Sequence, residues 1–178
     1  MTPSAPGVLV RGPLYGQGAA CEAVLRALPD WFGIEASVVQ YVKDVDDLPA
    51  FVAVEAARPP DDSAARDRGR AAAPRSVRTV GLIALKPHAL EAAEVRVMGV
   101  LRECHRAGVG RALLRAAEDW LRAQGSRFLT VKTLSATHAD PDYAATRAFY
   151  LAMDFVPLME LPDLWGPGNP CLVMVKVL

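Results

Sequence analysis

HRAGVGRALLRAAEDWL, His105 to Leu121, places two glycines one residue apart directly before a run with helical periodicity. After Gly108 the apolar residues Val109, Ala112, Leu113, Ala116, Ala117, Trp120 and Leu121 recur at helical spacing. Arg111, Arg115, Glu118 and Arg122 take the opposite side. The spacing predicts a helix packed on a sheet, its N-terminus immediately behind the glycine pair. The first N–H groups of a helix have no internal acceptor, and the dipole adds about half a positive charge there. Glycines remove the side chains that would hold an anion away, so the stretch reads as an anion cradle. Two common phosphate loops do not fit. The dinucleotide fingerprint needs a third glycine where Leu113 stands, and the P-loop needs Lys-Ser/Thr where Arg111-Ala112 stands. Taken alone, the pair is also compatible with a purely structural turn.

Outward from this stretch, strand and helix signals alternate. AEVRVMGVL before it and RFLTVKTL after it read as strands. PDYAATRAFYLAM reads as a helix, with Asp140 at the N-cap and Pro141 at the first helical position. On that helix Tyr143, Arg147, Tyr150 and Asp154 share one face, and Ala145, Ala148, Phe149 and Ala152 are expected toward the core. FVPLMEL and CLVMVKVL read as closing strands. Toward the N-terminus a first strand is predicted at Val8 to Arg11. Helices follow over ACEAVLRALPDW, ended by Pro29, and from Glu35 through Lys43. AFVAVEA and RTVGLIALK are strand-like and flank Ala57 to Ser76. That segment is rich in Pro, Ala, Arg and Asp, lacks apolar periodicity, and is expected to be the disordered tip of a long hairpin. The pattern implies one domain over residues 1–178, an α/β or α+β sandwich with a central sheet.

Composition narrows the function. Of 178 residues, 52% are hydrophobic, enough for one well-buried core. Twenty basic residues balance twenty acidic ones, so no global field favours nucleic acid or an anionic membrane, and neither is expected as a partner. Cys21, Cys104 and Cys171 are too far apart for paired metal ligands and odd in number, which predicts reduced thiols and no metal. The N-terminus carries no signal-peptide pattern and no apolar run reaches the ~20 residues of a bilayer span, so the expected location is cytoplasmic.

The strand AEVRVMGVL, the loop RECHRAGVG and the helix behind them resemble the acetyl-CoA site of the GCN5-related N-acetyltransferase (GNAT) family. The family's loop runs Gln or Arg, two residues, Gly, one residue, Gly or Ala. Gly108 and Gly110 match, with His105 at the Gln/Arg position. The family often carries a Tyr four residues before a Gly-Phe pair. Here Tyr150 and Phe155 are kept and Asp154 replaces the glycine, at a position where φ is usually positive and which Asp tolerates. The Asn that often begins this helix is replaced by Tyr143. The resemblance implies a GNAT fold: a mixed, mostly antiparallel sheet of six or seven strands, about four helices, and a V-shaped splay between the fourth and fifth strands.

It also implies a reaction, direct attack of an amine on the thioester of acetyl-CoA. The diphosphate would lie on backbone N–H groups of Arg106, Ala107, Gly108, Val109, Gly110 and Arg111. The pantetheine arm would pair against Met98, Gly99, Val100 and Leu101, with Gly99 suited to a bulge, and Arg147 joins the cofactor set. Tyr150 would donate to the leaving thiolate. Glu94 resembles the base of histone acetyltransferases, with an exposed strand-end carboxylate salt-bridged to Arg96 as the competing reading. His138, Asp140 and Glu55 are reserve bases, and a thiol nucleophile at Cys104 beside His105 is disfavoured. Trp31, Phe32, Lys132 and Thr133 are candidate contacts for a small-molecule or peptide amine. A non-catalytic acyl-CoA sensor is the alternative function. The final strand is expected to be exposed and open to pairing in a homodimer.

Overall fold

The computed structural model describes residues 7–56 and 77–178. In chain order the elements are β1 (Val8–Leu14), α1 (Gly18–Arg26), α2 (Glu35–Asp47), β2 (Ala50–Ala56), β3 (Val77–Ala89), β4 (Ala92–Val100), a 3-10 turn (Arg102–Cys104), α3 (Val109–Ala123), β5 (Phe128–Leu134), α4 (Pro141–Leu151), β6 (Val156–Leu161) and β7 (Cys171–Val177). The hairpin segment from Ala57 to Ser76 lies outside the described residues, but its flanks pair as expected, β2 antiparallel to β3.

The seven strands form one sheet in the order β1-β2-β3-β4-β5-β7-β6, antiparallel throughout except between β4 and β5. That parallel contact is short. It runs from Ala92 opposite Phe128 to Val95 opposite Val131 and stops. Beyond it β4 stays with β3 as far as Val100, and β5 stays with β7 as far as Leu134. Each strand keeps its outer neighbour and loses the inner one, which opens the V. The local cause is a bulge. Ala84 pairs with Val97 and Leu85 with Val95, leaving Arg96 as the extra residue of β4, and such an insertion bends its strand and increases the twist.

Gly99 is therefore not the bulge. It pairs regularly with Leu82, and its missing side chain admits α1: a Cβ there would lie 3.1 Å from Val24 Cγ1 and 3.3 Å from Leu28 Cδ1. The final strand is likewise not an edge. β7 inserts between β5 and β6, so the pairing expected of CLVMVKVL is already used within the chain, and β6 is the edge on that side.

Helices α1 and α3 cover the β1–β4 half of the sheet, and the main core lies between them and those strands. On α4 the inward residues are Asp142, Tyr143, Thr146, Phe149 and Tyr150, whereas Ala145, Ala148 and Ala152 are exposed. The helix lies along the opening of the V, so its inner face meets a cleft rather than a packed sheet. The alanines expected in the core are left outside. Asp154 follows the helix with φ +66, the conformation its place in the sequence demands.

Candidate active site

The V opens into a cleft of about 1080 Å³ bounded by the α1–α2 connection, α2, β4, the loop before α3 and its head, β5, α4 and the loop between β6 and β7. The bulge sends successive side chains of β4 to different ends of it. Arg96 turns toward α2, where its Nε donates to Asp44 Oδ2 at 2.6 Å and its guanidinium stacks 4.7 Å from the Tyr41 ring centre. Met98 turns toward α3 and α4, with its Cε 3.3 Å from where a Gly110 Cβ would stand. Leu101 N–H donates to Val80 O. By the alternation of an antiparallel ladder, Gly99 and Val97 also face β3, and the backbone groups of Met98 and Val100 face the gap. His105 confirms that direction: its Nε2 donates to Val100 O at 2.7 Å, fastening the loop before α3 to the open edge of β4.

The head of α3 is built as the sequence predicts, though its two glycines act differently. Gly108 is the N-cap with φ +84, and a Cβ there would meet nothing within 4 Å, so the requirement is conformational. Gly110 is needed for closeness, to Met98 and to Phe149 Cε2 at 3.4 Å. Arg106 also holds a left-handed φ of +58, a cost of order 1 kcal/mol for a residue with a side chain. The first N–H of the helix to find an acceptor is that of Ala112, bonded to Gly108 O at 3.0 Å. Among the described residues, the N–H groups of Arg106 to Arg111 have no backbone or side-chain acceptor. This row of unpartnered donors, at the head of a helix that lines the cleft, fits a diphosphate.

Tyr150 reaches the same end of the cleft from α4. It is 5% exposed, packed edge-on between Phe149 and Phe155, and among the described residues its hydroxyl finds only Met98 Sδ at 4.0 Å. Burial raises its pKa well above the ordinary value of 10, so it remains a proton donor. Arg147 is not brought to this site: its Nη1 donates to Leu134 O at 2.8 Å, tying α4 to the end of β5, and it is not among the cleft-lining residues.

Glu94 reaches the cleft, but in company. Its Oε2 accepts from Lys132 Nζ and from His88 Nε2, the latter at 3.0 Å. Arg96, the partner expected of a strand-end salt bridge, is held by Asp44 instead. Burial pushes the Glu94 carboxyl up, yet the bonds from Lys132 and His88 outweigh it and hold the group below its ordinary 4.5. The pair joins β4 to β5 just where the strands separate. Because the folded state depresses this pKa, its contribution to stability is complete above pH 4.5 and is lost as pH falls through the lower folded value. Glu94→Gln is therefore expected to lower Tm at pH 7 and to flatten the acid side of the wild-type Tm–pH curve. An unchanged acid limb would show that the carboxylate is not the clamp.

Phe32 and Tyr41, both half-buried, wall the other end, and Trp31, also half-buried, lies beside the loop before α3, its ring edge-on to His105 at 5.8 Å. The connection carrying Trp31 and Phe32 is tied to α4, since Trp31 Nε1 donates to Thr146 Oγ1 and Tyr143 Oη donates to Trp31 O, each at 3.0 Å. Arg102 stacks 4.6 Å from the Trp31 ring and binds Asp30 and, at 3.1 Å, Asp142. Thr133 Oγ1 is buried in the cleft wall with no partner among the described residues. Of the reserve bases, Asp140 is spent as the N-cap of α4, accepting from Tyr143 N–H at 2.9 Å. Glu55 pairs with Arg78, and neither Glu55 nor His138 lines the cleft. Cys104 lines it, but burial raises its thiol pKa and His105 is bonded elsewhere, so no thiolate pair forms. Sequence reasoning missed Tyr41, Arg102, Tyr143 and Thr146 as parts of the site. Among the described residues no group of side chains is suited to hold a metal ion, and no helix is long and apolar enough to cross a membrane.

A model of the acetyltransferase (GNAT) domain matches residues 67–157, just over half of the chain. No curated protein sequence matches. Among solved structures, an acetyltransferase of the GNAT family from Desulfovibrio desulfuricans superposes with a TM-score of 0.71 at 18% identity, covering 96% of this chain and 98% of that one. Ard1 from Thermoplasma volcanium gives 0.69 at 15% identity over 97% and 98% of the two chains. An aminoglycoside 6'-N-acetyltransferase complexed with coenzyme A gives 0.63 at 16% identity over 95% and 96%. At these identities the structures speak for the fold, and the domain match speaks for descent: the chain is a member of the GNAT family of acetyltransferases.

Proposed function

We propose that this acetyltransferase transfers the acetyl group of acetyl-CoA to a primary amine by direct attack. The observation that carries the reading is the unpartnered row of N–H groups from Arg106 to Arg111, opening onto a splayed strand and a buried Tyr150. The row would hold the diphosphate, and the backbone groups of Met98 and the N–H of Val100 would pair with the pantetheine arm, Val100 O being taken by His105. Arg106 and Arg111, which line the same cleft, add charge beside the phosphates.

In the reaction the amine nitrogen forms a bond to the thioester carbon, the carbon–sulfur bond breaks, and the electron pair leaves with sulfur. Tyr150 donates a hydrogen bond to that sulfur. An alkylammonium near pKa 10.4 is neutral in only about one part per thousand at pH 7, a penalty on the order of 4–5 kcal/mol. Glu94, held below 4.5, is too weak a base to remove it at equilibrium. It can orient the ammonium through Oε1, leaving the proton to pass to water.

The test combines binding and turnover. Acetyl-CoA is expected to raise Tm, and thiol release is expected with at least one member of a panel of amino acids, peptides, polyamines and aminoglycosides. A thermal shift without turnover on any amine would instead favour an acyl-CoA sensor, and no shift at all would remove the cradle. Gly108→Val isolates the cradle's contribution. A β-branched residue at φ +84 costs roughly 1–2 kcal/mol, and nothing else crowds the site. The expected result is a KM for acetyl-CoA raised about tenfold with little change in the KM for the amine.

A further inference from the structure

The amine-binding end of the cleft has a chemistry of its own, and it rests on the reading just given. Apart from Arg106 and Arg111, assigned above to the phosphates, the cleft is lined by three cationic side chains, Arg96, Arg102 and Lys132, and two carboxylates, Glu94 and Asp142. Both carboxylates already hold a cation, Lys132 with His88 in one case and Arg102 in the other. A substrate bearing several ammonium groups would find no unpaired carboxylate among these lining residues.

One group there lacks a partner of the opposite kind. Arg96 is fastened to Asp44 through Nε alone, and its two terminal nitrogens have no acceptor among the described residues. It stands just beyond Val95 and Val131, the last paired rung of β4 and β5, where the strands diverge. A planar fork with two free donors is what a carboxylate takes. Arg96 is also two residues from Met98, roughly 7 Å along the strand, and Met98 marks the level of the Tyr150 hydroxyl. Around Arg96 the walls are apolar. Phe32 and Tyr41 meet edge to face, and Ile34, Leu164 and Trp165 are exposed at the rim by 62%, 50% and 39%.

We propose that the acceptor is a free α-amino acid with an apolar side chain, its carboxylate bound by the terminal nitrogens of Arg96 and its side chain between the aromatic walls. The single ammonium then faces Glu94 Oε1 and the reacting thioester.

The experiment measures thiol release from acetyl-CoA with L-phenylalanine and L-leucine, with their amides, with phenethylamine, and with spermidine and kanamycin. Rates are expressed per neutral amine, because amidation alone lowers the amine pKa. The expected result is a kcat/KM at least about tenfold higher for the acids than for their amides, carried by KM. In Arg96→Lys the preference is expected to shrink to within about threefold while the KM for acetyl-CoA stays unchanged. The wild-type comparison stands even if loss of the Asp44 bond loosens α2 in the variant. Preference for the amides would overturn the proposal in favour of a peptide N-terminus, and preference for spermidine or kanamycin would overturn it in favour of a polycation. Undiminished preference for the acids in a folded Arg96→Lys protein would also overturn it. A thermal shift with acetyl-CoA but no turnover of either acid sinks this assignment alone, whereas no shift sinks the function beneath it.

Discussion

Tyr150→Phe is expected to lower kcat by about tenfold or more while leaving Tm unchanged or slightly higher. The two halves of that result have one cause. A buried hydroxyl loses its water, and stability recovers only if a good partner replaces it. Here the partner is a thioether at 4.0 Å, a weak acceptor at the limit of contact. The hydroxyl therefore contributes little to folding, and its removal leaves the ring's edge contacts with Phe149 and Phe155 intact. During turnover the same hydroxyl faces a sulfur gaining negative charge, where a single preorganised donor supplies about 1.4 kcal/mol or more, a factor of ten in rate.

The pH behaviour follows from burial, which raises the phenol above its ordinary 10. Above pH 10 the unfolded chain releases a proton that the folded chain keeps, so wild-type stability declines as pH rises through the folded value, and the Phe variant lacks that component. Over the usual assay range the phenol stays protonated and kcat shows no alkaline fall from it. Unchanged kcat in Tyr150→Phe would remove the residue from the reaction. A large loss of Tm would show that it serves folding instead.

What the sequence disclosed depends on how far each residue's reason lies from it along the chain. The helix after Gly108, the N-cap at Asp140 and the positive φ at Asp154 are all decided within a few residues, and each is found where local chemistry places it. The splay was legible only through the resemblance. Its physical cause, the extra residue at Arg96, depends on β3 register, which nothing in AEVRVMGVL reveals. The same distance hides Glu94, whose partners come from β3 and β5, and the place of β7, which bypasses β6 to reach β5. Asp44 with Arg96 and Trp31 with Thr146 join helices and strands across the whole fold, so the amine-binding end was the least readable part.

Glu118 shows the limit most sharply and yields the largest expected effect on stability. On α3 it falls on the charged side of the stripe, yet it is 3% exposed, and its Oε1 binds Lys176 Nζ at 2.7 Å. Lys176 sits on β7, itself 8% exposed and 6.0 Å from the Phe155 ring. The bond runs from a helix packed on the β1–β4 half to a strand of the other half. With Glu94 and Lys132 it makes a second ion pair across a sheet held at its centre by only the rungs from Ala92 to Val95. Lys176→Met leaves a buried carboxylate whose remaining cation is Arg122, at 3.3 Å from Oε2. Removing one partner of a buried pair costs about 3–5 kcal/mol, and at 2–4 °C per kcal/mol the expected fall in Tm is roughly 6–20 °C. Replacing both partners by apolar residues, Glu118→Leu with Lys176→Met, is expected to recover most of that loss, because no charge is then left uncompensated. A fall in Tm of less than about 2 °C in the single variant, or a double variant no more stable than the single, would show that the halves are held by packing alone.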